Sequence, residues 1–201
     1  MNEKVIKEDG VAIYENYDTK LKVFMFINNG GALFVKFNDR KSFYDYGWEL
    51  ETKNKNYTNY WYSSDWSFIT KNKNMICEGF MFRTSKFKNN TFKHSILRLL
   101  SFSGVNIIKI LKNFLIYRPK NNTFKFIREV NIGEDYISIV DKISNFKKSD
   151  KLKRVFNISK RHTASANNFS ENDFIRLNNV SVIEEKQEFL HNSLIIETIY
   201  K

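Results

Sequence analysis

A chain of 201 residues with 42% hydrophobic and 16% aromatic side chains can bury a core, and it is too rich in rings for a disordered segment. Its 33 Lys and Arg against 22 Asp and Glu leave a charge of +11 at neutral pH, which favours polyanionic partners: acidic polysaccharide, nucleic acid or an anionic membrane surface. A single cysteine, Cys77, excludes an intrachain disulfide and a cysteine-built zinc centre, and one Pro with 7 Gly excludes a Pro-rich or Gly-rich linker.

Two readings of the charge compete. Heavy use of Lys, Asn, Ile, Phe and Tyr fits an AT-rich coding sequence, which raises the lysine count without any partner. Against that, Lys147, Lys148, Lys151, Lys153 and Arg154 form a short cationic cluster of the kind that meets polyanions. Met1 to Gly10 is charged, so no secretory leader is expected in this stretch. That fits the cytoplasm, or the periplasm if the chain is a piece of an exported parent.

Val11–Tyr14 reads as a strand, and Leu21–Ile27 as another. Asn28-Asn29-Gly30-Gly31 is a turn signal, after which Ala32–Phe37 returns, so a hairpin is predicted here. Residues 38–65 read as a long polar and aromatic excursion with a short strand near Trp48–Glu51. Long loops of this kind are uncommon and often functional. A second hairpin is predicted from Trp66–Thr70 and Met75–Lys86, turning at Lys71–Asn74.

Residues 94–118 break the pattern. Apolar side chains from Ile96 to Leu115 recur at spacings of three and four, which predicts a helix interrupted at Gly104 and packed on the sheet. Arg98, Lys109 and Lys112 fall inside the window of about 20 residues that a membrane span needs, so a transmembrane helix is excluded. A third hairpin spans 123–132 and 136–143, turning at Gly133-Glu134-Asp135. Its second strand alternates with period two, interrupted at Asp141. Further strands are expected at Lys151–Ser159, Val180–Glu185 and Phe189–Tyr200. The fold class that follows is mainly β: one domain over 1–201, an antiparallel β-sandwich with one helical segment at about 94–118.

Catalytic signatures are absent: no G-x-G-x-x-G, no P-loop, no G-x-S-x-G and no H-E-x-x-H. His94, His162 and His191 lie far apart, and neither a metal nor a cofactor is expected. Asp45, Glu49, Glu51 and Asp65 offer carboxylates, but their spacing selects no pair for glycosidic chemistry. Two segments stand out as ligand-binding candidates. Trp61, Tyr62 and Trp66, with Tyr60, carry rings that stack on sugar faces or bases when exposed. A strand there would set Tyr60 and Tyr62 on one face and Trp61 on the other. Arg161, His162, Ser165 and Asn168 sit in a polar loop after a predicted strand, where Arg can pair with a carboxylate or sulfate. The competing readings are core rings for the first segment and a self-satisfied loop for the second.

The second half carries a more specific likeness. Its parts are His94–Leu100, then Phe126-Ile127-Arg128-Glu129-Val130, then Gly133-Glu134-Asp135-Tyr136-Ile137-Ser138-Ile139-Val140-Asp141-Lys142-Ile143, then His162–Phe169. In this order they resemble the C-terminal β-domain of heparinase II/III-like proteins of bacterial exopolysaccharide loci. Such proteins join an N-terminal α/α toroid, which supplies the tyrosine and histidine of polysaccharide β-elimination, to an antiparallel β-sandwich. The resemblance implies the accessory domain without a complete lyase site, as a fragment of a longer parent with a toroid or as a stand-alone relative. The expected partner is an acidic polysaccharide, and an independent enzyme is not expected. A basic nucleic-acid-binding module and a structural or interaction domain remain the alternatives.

Overall fold

A computed structural model describes residues 3–37, 41–71, 73–84, 120–134, 136–156, 182–190 and 192–200. The first four strands form a meander: β1 Glu3–Glu8, β2 Val11–Asn16, β3 Leu21–Phe26 and β4 Ala32–Phe37. Turn chemistry explains each reversal. Asp9 and Gly10 both take positive φ, 43° and 79°, as a tight two-residue hairpin turn demands. Asn16 Oδ1 accepts the Asp18 and Thr19 backbone N–H groups and closes the next loop. Between β3 and β4 a short 3-10 turn, Ile27–Asn29, ends on Gly30 at φ 62°.

β5 runs over Lys41–Glu51, so the short strand expected near Trp48–Glu51 is the end of a longer one that takes up 11 residues of the excursion. The pattern was hidden because Asp45 and Gly47 occupy inward positions that apolar residues usually mark, and both types are depleted in strands. After it come β6 Asn56–Thr58, β7 Ser67–Lys71, β8 Asn74–Thr84, β9 Lys120–Ile132, β10 Ile137–Ser144, β11 Lys151–Phe156, β12 Val182–Leu190 and β13 Ser193–Tyr200. The three expected hairpins are present as β3–β4, β7–β8 and β9–β10. The helical segment 94–118 lies outside the described residues. Among the described residues no helix is long and apolar enough to cross a membrane.

All pairings are antiparallel, in the order β1-β2-β3-β4-β5-β6-β8-β9-β10-β13-β12, with β11 on β5 and β7 on β8. The pairing register of β5 shows how this sheet folds over. Asp45 pairs with Leu33 of β4 and with Phe156 of β11, so those strands flank opposite edges. Glu49–Glu51 pair with β6 and also with β11. β4 and β6 therefore follow one another along a single edge of β5. The chain turns between them at Gly47, whose φ of 99° is open to glycine and strained for other residues.

The sheet thus doubles back, and its two halves close on one core. Val23, Met25, Leu33 and Val35 line it from the first half, and Phe126, Val130, Ile139 and Ile196 from the second. Phe43 of β5 stacks on Tyr200 of β13 with centroids 4.3 Å apart. Cys77 of β8 lies 3.8 Å from the Ile27 carbonyl oxygen of the β3–β4 turn. Ring pairs of this kind add about 1 kcal/mol each beyond their area burial.

Candidate functional site

The two faces of β5 carry different chemistry because side chains alternate across a strand. Phe43 and Asp45 point inward, while Tyr44 and Tyr46 lie on the half-buried outer face. Cross-strand register then aligns Phe24, Phe34 and Tyr44 directly opposite one another on β3, β4 and β5. Phe24 and Phe34 have centroids 5.7 Å apart, and Phe34 stacks on Tyr44 at 4.5 Å. Tyr44 and Tyr46 follow at 6.0 Å, nearly parallel at 13°. Tyr60 closes the row edge-on to Tyr46, also at 6.0 Å.

At this end of the row a groove of about 280 Å³ opens. Tyr44, Tyr46 and Tyr60 line it together with Phe26, Asn29 and Val155. That volume lies at the lower limit of small-ligand pockets, about 300–1,000 Å³. Burial, and after it the neighbouring Tyr44, raises the pKa of the Tyr46 hydroxyl, which therefore stays protonated at neutral pH. The Tyr60 hydroxyl donates to Glu49 Oε1 at 2.5 Å.

The groove is held from beneath by buried polar groups. Asn59, fully buried, accepts the Trp48 N–H at 2.7 Å and donates to the Gly30 and Tyr46 carbonyls at 3.1 Å each. A Cβ on Gly47 would come within 2.4 Å of that amide, so glycine is required here by space as well as by φ. The Ser63 N–H donates to the Asn28 carbonyl at 2.7 Å, laying the 59–63 segment against the β3–β4 turn.

Deeper still lies an ion cluster. Arg128 grips Asp141 through Nε at 2.7 Å and Nη2 at 2.6 Å, and its Nη1 donates to the Gly31 and Asp45 carbonyls at 3.3 Å each. Asp45 receives Arg154 Nη2 at 2.6 Å, the Gly47 N–H at 2.9 Å and the Tyr200 hydroxyl at 3.3 Å. The Trp48 indole N–H donates to Asp141 at 2.6 Å. Two arginines thus face two aspartates and the cluster is neutral.

Burial opposes ionisation of Asp45, but Arg128 and Arg154 outweigh it and hold its carboxyl below the ordinary range. Burial likewise opposes the Arg128 charge, and Asp141 and Asp45 together raise its pKa above the ordinary value. Both carboxylates are enclosed and taken up by guanidinium groups, so neither can meet a substrate. This cluster fastens β5 to β9, β10 and β11, which fixes the backbone that presents Tyr44 and Tyr46.

The residues singled out from sequence fare differently. Trp61 is half-buried and packs on the core margin, and Tyr62 is 66% exposed. Neither is on a strand, because β6 ends at Thr58. Trp66 is core: its ring covers Gly79 and meets Phe126 edge-on at 6.3 Å. Arg161, His162, Ser165 and Asn168 lie outside the described residues.

Tyr44, Tyr46 and the three polar inward residues Asp45, Arg128 and Asp141 were not selected by the sequence reading. The signal for the last three was present as a polar side chain at an inward position of a period-two strand. Among the described residues no group of three or more His, Cys, Asp or Glu is arranged to hold a metal. Comparison with protein-family models, curated proteins and solved structures finds no match.

Proposed function

We propose that this chain is a glycan-binding β-domain of a polysaccharide-processing system, taking one unit of an acidic polysaccharide into the tyrosine groove. The observation that carries the reading is the row of half-buried rings ending in a groove of single-ligand size. Sugar C–H faces pack on such rings, and tyrosine hydroxyls bond sugar hydroxyls. The charge of +11 supports an anionic polymer as the partner, drawn in by the long-range field. The likeness to heparinase II/III-like C-terminal domains supports the same substrate class and an accessory role without lyase chemistry.

The test is a binding screen against acidic glycans, neutral glycans and single-stranded DNA at two salt concentrations. Glycan binding that survives about 0.2 M salt and drops at least about tenfold in Tyr46→Ala is expected. Equal binding to every polyanion, erased by salt and indifferent to Tyr46→Ala, would overturn the reading and leave a structural domain with generic charge.

A further inference from the structure

We infer that the carboxylates or sulfates of the bound polysaccharide are received by Lys153 and Lys151, which extend the glycan site from the tyrosine groove out along β11. This rests on the glycan reading above and deepens it, because it gives the groove a charged subsite and the polymer a direction.

Alternation along β11 sets the geometry. Leu152 and Phe156 pack on the core, and Arg154 between them turns inward, with Nη2 on Asp45 at 2.6 Å. Lys151, Lys153 and Val155 therefore share the opposite face. Val155 is buried and forms part of the groove wall. Lys153 and Lys151 are exposed and follow it at two-residue steps. At roughly 3.3 Å per residue they stand about 7 Å and about 13 Å from Val155. Of the cations that cluster in this part of the sequence, Arg154 is enclosed and Lys148 lies over the Phe189 ring at 5.7 Å. The fold thus selects two lysines and brings them into line with the groove.

Glu49 and Glu51 of β5 pair in register with Lys153 and Lys151. The Glu49 carboxylate accepts the Tyr60 hydroxyl at 2.5 Å, and among the described residues neither lysine is ion-paired. Exposed Lys–Glu contacts are weak and exchange readily. The acidic neighbours make these lysines a poor site for a free ion. An anion carried on a polymer already seated in the groove arrives at an effective concentration on the order of millimolar, and that favours the exchange. Lys36 of β4 is the competing cation. It lies two residues from Phe34, beside the ring row, and its cross-strand neighbour Lys22 is ion-paired to Glu15 at 2.8 Å.

The experiment titrates a neutral gluco-hexasaccharide and its C6-oxidised, uronate-bearing counterpart calorimetrically at about 0.15 M salt. The proteins are wild type, the double variant Lys151→Gln, Lys153→Gln, the single variant Lys36→Gln, and Tyr46→Ala. Wild type is expected to bind the uronate more tightly than the neutral ligand. The double variant should lose about tenfold on the uronate, the scale of two exposed charge contacts, and stay within about twofold on the neutral ligand. Uronate binding that is no tighter than neutral binding, that survives the double variant, or that falls in Lys36→Gln instead, while Tyr46→Ala still abolishes it, would overturn the inference and leave the glycan reading intact. An equal loss on both ligands in the double variant would overturn it too, since a charge contact acts on the uronate alone. If neither hexasaccharide binds, or Tyr46→Ala changes nothing, the groove reading itself fails and the inference with it.

Discussion

Replacing Arg128 by Met isolates what the buried cluster contributes. The side chain is fully enclosed and makes five N–H contacts: two to the Asp141 carboxylate, one to the Asp45 carboxylate, and one each to the Gly31 and Asp45 carbonyls. Without it, Asp141 keeps the Trp48 indole N–H, Asp45 keeps Arg154 and the Gly47 N–H, and the interior changes from neutral to one net negative charge. Breaking a buried pair in this way costs about 3–5 kcal/mol. With a urea dependence of about 2 kcal/mol per molar, the unfolding midpoint should fall by roughly 2 M. The double variant Arg128→Met, Asp141→Leu restores neutrality and should recover at least about half of that loss, because the uncompensated charge is the larger part of the cost. Equilibrium urea unfolding followed by tryptophan fluorescence reads both. A single variant within about 0.5 M of wild type, or a double variant less stable than the single, would refute the account of Arg128 as the counter-charge of this core.

Three further outcomes follow from the same geometry. Asp45 titrates below its ordinary value when folded, so it stabilises the protein above about pH 4, where the unfolded carboxyl is ionised, and that gain is lost as pH falls through the folded value. The stability gap between wild type and Asp45→Asn should be widest from about pH 5 upward and close in acid; a gap that widens below pH 4 contradicts this. Gly47→Ala meets both a φ of 99° and an Asn59 amide 2.4 Å away, and should cost about 3 kcal/mol in thermal unfolding. Burial pushes the Cys77 thiol up to about 12, against the opposing pull of Arg128, so at pH 8 it is a protected thiol. Disulfide-reagent labelling followed by mass spectrometry should therefore be slow and accelerate with urea, and prompt stoichiometric labelling of the native protein would count against its enclosure.

The hairpins were readable because their turns are chemically specific: Asn28-Asn29-Gly30-Gly31 separates two runs of alternating apolar residues, and the chain reverses there. Of β5 only the end near Trp48–Glu51 was, because two inward positions before it hold Asp45 and Gly47 in place of apolar side chains. Asp141 looked like an interruption in an alternating strand, yet it keeps the inward register of Ile137, Ile139 and Ile143 and is buried with them. A charge at a core position is affordable only with a partner, and Arg128 and Trp48 come from elements 13 and 93 residues away along the chain. Local patterns carry no information about such pairing. The tyrosine row has the same origin: Tyr44 and Tyr46 become a surface feature only once β3 and β4 bring Phe24 and Phe34 alongside. Trp66 stayed open between a stacking ring and a core ring because tryptophan serves both roles, and the bare surface of Gly79, visible only in the folded protein, decides for the core.

β5 has a consequence for how the molecule is made. Its partners are spread from Leu33 to Phe156, so one flank of this central strand stays bare until some hundred further residues have left the ribosome. Pairings of such separation carry a large loop-closure cost and place folding among the slow β topologies, on a scale of milliseconds to seconds. Through that interval the growing chain exposes Tyr44, Tyr46 and an open row of amides, the sort of template on which neighbouring chains assemble. Dilute conditions, or a chaperone that covers residues 41–51 until Lys151–Phe156 arrive, should therefore raise the soluble yield, while truncation before Lys151 should lower it.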